Sequence, residues 1–163
     1  MISNRDFALA VALHVGTHSM SDRVFLDTNI LLYAYDVDAG NKHRVARDLV
    51  RGLWNENTGV LSTQVLQEFY VNVTAKIPTP LSPARARSVL RNYLAWHVET
   101  NSAESVLMAS EVQEQNRLSF WDALIIVAAS NAGASVLYSE DLNHDQMIEG
   151  VRVCNPFFDS TGN

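Results

Sequence analysis

The stretch Val24-Phe25-Leu26-Asp27-Thr28-Asn29 decides the fold. Three apolar residues run into an acid and two small polar residues, and Ile30-Leu31-Leu32-Tyr33 then resumes the apolar run. A short apolar run closed by a polar break reads as a buried strand delivering its last residue into the start of a helix. Asp27 then stands at the carboxyl end of a strand, the edge on which open α/β sheets build their ligand crevices. One acid there is only a hint. Its weight depends on whether other acids reach the same edge.

Outward from that stretch the pattern repeats. A short helix is expected from Ile30 to about Asp36, broken by Asp38-Ala39-Gly40-Asn41. From residue 42 to about 55, Val45, Ala46, Leu49, Val50 and Leu53 recur at helical spacing. Arg44, Arg47 and Arg51 share another face of that helix. That stripe reads first as a solvated face and only second as a contact for RNA or a partner. Val60-Leu61-Ser62 is a second strand, and Ser62 or Thr63 can cap the helix after it. In that helix Leu66, Phe69, Tyr70 and Val73 face inward, with Gln64, Glu68 and Asn72 as a polar stripe beside them.

Ile77-Pro78-Thr79-Pro80 makes a stiff linker, and Ser82-Pro83 opens another helix. His97-Val98-Glu99 reads as a short edge strand, and Asn101-Ser102-Ala103-Glu104 has capping-box spacing. Ser119-Phe120-Trp121-Asp122 opens a helix whose residues 124–129 are apolar on all sides, as in a helix buried mid-fold. Residues 135–138 form a strand running into Ser139-Glu140-Asp141, and Val151-Arg152-Val153-Cys154 alternates like a last strand. Strands alternating with helices imply an α/β fold: a three-layer sandwich with a short, mostly parallel central sheet flanked by helices.

Composition bounds the possibilities. A chain of 163 residues suits one domain with a substantial core. Its 47% hydrophobic and 18% charged content is that of an ordinary globular protein. No apolar run approaches the ~20 residues of a membrane-spanning helix, so no membrane association is expected. Cys154 is the only cysteine, which excludes an internal disulfide and a cysteine-based zinc site and fits a reducing, cytoplasmic setting. A net charge of −6 argues against holding nucleic acid by bulk attraction to phosphate, but leaves room for a protein that brings divalent cations to it. Residues 1–22, with the apolar run of residues 7–15, are unlike the rest. They lack a convincing signal-peptide cleavage site and are set apart as an added helix, a disordered extension or residues ahead of a start at Met20.

Four acids occupy similar places. Asp27 and Asp141 follow strands; Glu68 and Asp122 sit in the first turns of helices. In a parallel sheet the carboxyl ends of strands and the amino ends of the following helices share one edge. Each acid has a plainer reading: Asp27 as a helix cap, Asp122 as the third-position partner of Ser119, Asp141 as a turn residue, Glu68 as solvated. Any one plain reading outweighs a catalytic role; four acids on one edge reverse the balance. Carboxylates packed together repel, and a divalent cation removes the repulsion. Oxygen ligands without a His or Cys cluster select a hard ion, Mg²⁺ or Mn²⁺, and metal-assisted phosphodiester hydrolysis is the natural chemistry. The scattered histidines His43, His97 and His144 attract no role. Trp121 is weighed as a base-stacking residue and as a core aromatic at a helix start, and the core reading is preferred.

These residues resemble those of the PIN-domain ribonucleases, specifically the toxins of the VapC type. The resemblance spans about Arg23 to Phe157. It rests on Phe25-Leu26-Asp27-Thr28-Asn29, Gln67-Glu68-Phe69, Ser119-Phe120-Trp121-Asp122-Ala123-Leu124, Ser139-Glu140-Asp141-Leu142 and the run from Val151 to Phe157. It implies a PIN domain over residues 23–158, with 159–163 as a C-terminal tail. Asp27, Glu68, Asp122 and Asp141 would then be the catalytic, metal-binding quartet for one or two Mg²⁺ or Mn²⁺ ions, with Asn29 and Ser139 orienting the carboxylates. It further implies in-line attack of activated water on an RNA phosphodiester, leaving a 5′-phosphate and a 3′-hydroxyl. The expected partners are RNA, a second copy in a homodimer and a cognate antitoxin. His144-Asp145 departs from relatives, which often carry glycine before the glutamine matched by Gln146; Asp145 is expected to lie in the loop. The alternative function is a catalytically inactive RNA- or protein-binding module on the same fold. A flavodoxin-like phosphatase with Asp27 as nucleophile fits less well, since it leaves Glu68 without a task.

Overall fold

Six short strands form one sheet in the computed structural model, which describes residues 22–158. The strands are β1 (Val24–Leu26), β2 (Gly59–Ser62), β3 (His97–Glu99), β4 (Val136–Tyr138), β5 (Met147–Ile148) and β6 (Val151–Cys154). Their order across the sheet is β3-β2-β1-β4-β6-β5, parallel throughout except for the antiparallel β5–β6 pair. The expected mostly parallel sheet is therefore the one observed. Of the segments set apart at both ends, 1–22 and 159–163, all but residue 22 lie outside the described residues.

Six helices connect the strands: α1 (Thr28–Tyr33), α2 (Asn41–Glu56), α3 (Thr63–Ala75), α4 (Pro83–Tyr93), α5 (Ala103–Asn116) and α6 (Phe120–Asn131). Helix α6 packs on α5 and lies across β2, β3, β4 and β6. Residues Ala123 to Ala129 are all buried, as a helix apolar on every side requires. Helices α1 to α4 pack on one another, with α2 and α3 against β2. The strands between bring Phe25, Leu26, Leu61, Leu137 and Val153 into the core at almost no exposure.

Two junctions differ from the sequence reading. Helix α1 starts two residues before Ile30, because Asp27 itself is the cap. The cap of α5 is Ser102, not Asn101, and its box closes on Ser105: Ser102 Oγ accepts from Ser105 N–H at 3.2 Å and Ser105 Oγ from Ser102 N–H at 3.3 Å. Strand β5, which the sequence did not announce, is the short partner of β6 across a turn in which Glu149 and Gly150 both take positive φ (49° and 77°). Two such residues form the tight hairpin whose twist matches paired strands.

The chain enters the sheet at its centre. From β1 it steps outward to β2 and β3, then crosses back to β4 on the other side of β1. The carboxyl ends of β1 and β4 thus flank a topological switch point, where an open parallel sheet parts its connections and leaves a crevice.

Candidate active site

Asp27 is placed at the switch point by the sheet itself, since its N–H donates to the carbonyl of Tyr138, the last residue of β4, at 3.0 Å. Its carboxylate is buried, with the residue only 7% exposed. Oδ1 accepts from the Thr28 N–H at 2.6 Å and Oδ2 from the Ser139 hydroxyl at 2.7 Å. Ser139 Oγ in turn accepts the Asp141 N–H at 3.2 Å, so one hydroxyl ties the acid after β1 to the turn after β4.

The other acids arrive from their own elements. Glu68, half-buried on α3, accepts from Thr28 Oγ1 at 2.6 Å and from Gln64 Nε2 at 3.0 Å. Asp122, in the first turn of α6, accepts from Ser119 Oγ at 2.6 Å, while Ser119 Oγ caps the helix by accepting the Asp122 N–H. Asp141 accepts from Asn29 Nδ2 at 2.7 Å. Glu140, beside it, points instead to Tyr33 and forms an ion pair with Lys42.

All four acids line one cleft of about 90 Å³, together with Thr28, Asn29, Gln64 and Trp121. A hollow of about 560 Å³ against Trp54, Arg91, Asn92 and Ala95 contains none of them. Asp145 is absent from the cleft; it is an exposed loop residue paired with Arg152 at 2.7 Å. Trp121 corrects the sequence reading. It is 62% exposed and is not a core residue. Thr28 and Gln64 were missed as carboxylate partners, whereas Ser119 was read as the partner of Asp122. Gln64 had a visible signal in its four-residue spacing from Glu68, and Ser119 in its spacing from Asp122, whereas the Thr28 contact spans 40 residues and leaves no local trace.

The electrostatics follow from this crowding. The Asp27 carboxyl is pushed up from 3.8 to about 6, first by burial, against the pull of the Ser139 and Thr28 hydrogen bonds, and then by the charges of Asp141 and Asp122. Asp141 is raised too, by burial first and then by Glu140. A buried carboxylate held half-ready to protonate is unfavourable on its own and favourable beside a cation.

Whether these residues suit a divalent ion can be tested on their chemistry. Among the described residues no group of three or more His, Cys, Asp or Glu side chains stands arranged as a ready ion shell. Each carboxylate is held by a hydroxyl or amide donor instead. The donor set nonetheless consists only of hard oxygens, which select Mg²⁺ or Mn²⁺ over softer metals. Gln64 Oε1 in the same wall is a buried acceptor without a donor, a group that a hydrated ion can satisfy. The residues fit such an ion in kind and in charge.

Comparison with known proteins adds three findings. The family model for the PIN domain matches residues 24–149. No curated protein matches the chain. Among solved structures, the toxin–antitoxin complex from Klebsiella pneumoniae is similar with a TM-score of 0.61 at 17% identity, covering 82% of this chain and 98% of that one. The sarcin–ricin loop cleaving toxin VapC20 of Mycobacterium tuberculosis is similar with a TM-score of 0.55 at 22% identity, covering 71% of this chain and 88% of that one. DNA-bound VapBC from Salmonella typhimurium gives a TM-score of 0.57 at 18% identity, covering 80% and 96%. At these identities the likeness is one of fold.

Proposed function

The chain belongs to the PIN-domain family, and from that premise we propose that it is a metal-dependent endoribonuclease, the toxin of a toxin–antitoxin pair. The observation that carries the reading is the meeting of Asp27, Glu68, Asp122 and Asp141 in one cleft at the carboxyl edge of the sheet. Asp27 and Asp141 alone are 114 positions apart in sequence, and a plain capping or solvation role explains none of the convergence.

In this reading the four carboxylates hold one or two Mg²⁺ or Mn²⁺ ions. When bound, the ion supplies charge neutralisation at the phosphate and the acidity that makes water a nucleophile at neutral pH. The chain's own residues set the geometry. Ser139 and the Thr28 N–H keep both Asp27 oxygens in place, Asn29 holds Asp141, Thr28 and Gln64 hold Glu68, and Ser119 holds Asp122. Such partners fix the direction of a ligand oxygen and raise affinity for the ion.

Structural neighbours that are toxin–antitoxin complexes support an antitoxin as partner, and a homodimer in the cytoplasm completes the proposal. Among the described residues no helix is long and apolar enough to cross a membrane. The alternative is a binding module on the same fold without catalysis, against which the presence of all four acids in one cleft argues. Cleavage of RNA by the purified protein in Mn²⁺, beside the Asp27→Asn variant, separates the two. Loss of cleavage in the variant supports the nuclease; equal cleavage by both, or none by the wild type, refutes it.

A further inference from the structure

Trp121 is out of keeping with the helix it opens. The seven residues from Ala123 to Ala129 are buried, yet the Trp121 indole is 62% exposed at the mouth of the acidic cleft. We propose that Trp121 is a stacking platform that holds an unpaired nucleobase of the substrate next to the scissile phosphate. This rests on the ribonuclease reading above.

Three observations support the platform. First, the indole is held in advance. Its ring meets Phe120 edge-on, with centroids 5.5 Å apart and planes at 75°, and its backbone carbonyl accepts from Gln64 Nε2 at 3.4 Å. Gln64 also holds Glu68, so one side chain ties the backbone that carries the ring to one of the acids. Second, Trp121 lines the same cleft as the four acids. A nucleotide whose phosphate enters among those acids carries its base alongside Trp121. Third, the charge balance demands a source of affinity that is not bulk attraction. With a net charge of −6 and four acids in the cleft, phosphate is repelled outside the immediate ion site, and base–aromatic stacking supplies affinity without basic residues. A base within a duplex is already covered on both faces by its neighbours, so only an unpaired base can use such a platform.

The test uses full-length chains carrying Asp27→Asn, which keeps RNA intact, and a fluorescently labelled oligoribonucleotide read by anisotropy. Adding Trp121→Ala is expected to raise Kd for the single strand roughly 10- to 100-fold, about 1.4–2.8 kcal/mol, the range of one stacked base. Trp121→Phe, which keeps a ring, is expected to lose less than Trp121→Ala. Replacing one nucleotide by an abasic residue is expected to mimic the loss and to add nothing in Trp121→Ala. The same sequence as a duplex is expected to bind weakly and equally to all three. In the Asp27 protein, the cleavage defect of Trp121→Ala is expected to fall on KM more than on kcat. Unchanged single-strand affinity in Trp121→Ala overturns the platform, as does equal binding of duplex and single strand. Dissociation of an oligomer in Trp121→Ala, with RNA affinity unchanged, overturns it in favour of a protein contact. Trp121-dependent binding by a wild type that cuts nothing sinks the nuclease reading alone. Cleavage that ignores Trp121 sinks the platform alone.

Discussion

Replacing Asp27 by Asn isolates the energy stored in the cleft. The Asp27 carboxyl stands at about 6 in the folded chain against its ordinary 3.8, and each pH unit between them is worth 1.36 kcal/mol. The folded state therefore holds this proton more tightly than the unfolded chain does. Below pH ~3.8 both states are protonated and the acid costs nothing; between 3.8 and about 6 the penalty grows; above that it is complete at about 3 kcal/mol. Asn removes the charge at nearly constant size. Its oxygen can still accept the Thr28 N–H, while its amide turns toward Ser139 Oγ, which already accepts from Asp141 N–H. Part of the gain is lost there, leaving an expected stabilisation of about 1–3 kcal/mol at pH 7.5 without metal. At roughly 2–4 °C per kcal/mol for a chain of this size, Tm rises by roughly 2–12 °C. Thermal melts in EDTA at pH 4 and pH 7.5 measure it: the variant should gain on wild type from the first to the second, its fixed loss at Ser139 being the same at both. Mn²⁺ should then raise the wild type and not the variant. A variant less stable than wild type at pH 7.5 in EDTA, or a gap that does not change with pH, refutes the reasoning.

Further outcomes follow from named contacts. Ser139→Ala removes the hydroxyl from Asp27 Oδ2 and is expected to weaken Mn²⁺ binding about 10- to 100-fold by calorimetric titration. Asn29→Ala, which frees Asp141, is expected to do the same while melting within a few degrees of wild type. Gly59→Ala tests the fold away from the cleft. A Cβ there meets the Trp96 ring at 2.4 Å, so a loss of about 1–3 kcal/mol is expected in urea unfolding, with Mn²⁺ affinity retained. Removal of divalent ions by EDTA is expected to abolish RNA cleavage, and Mn²⁺ to restore it.

The parallel sheet and the quartet were legible because both rest on local signals. Strands β1 and β4 are apolar runs with a polar end, and in a parallel sheet such ends must share an edge, so Asp27 and Asp141 could be placed together without coordinates. Asp122 followed from its place in the first turn of α6, whereas Glu68, expected in a first turn, stands in the second turn of α3 and still reaches the cleft. The carboxylate partners were less legible. Ser119 was visible as a cap, and the same hydroxyl that caps α6 also donates to the Asp122 carboxylate. Thr28 was hidden, because its hydroxyl finds Glu68 only after α1 and α3 have packed. Strand β5 escaped because two residues carry no periodicity and its turn uses Glu149 where Asn or Asp is the usual signal. Trp121 misled for a different reason: large aromatics at helix starts are mostly buried, and exposure is a tertiary property that spacing does not encode.

The most direct measurement of the central claim is anomalous diffraction from crystals soaked in Mn²⁺. The expected result is a manganese peak in the cleft within bonding distance of carboxylate oxygens from Asp27 and at least one of Glu68, Asp122 and Asp141. A soaked crystal with no peak in the cleft, or with manganese bound only elsewhere on the chain, would contradict it.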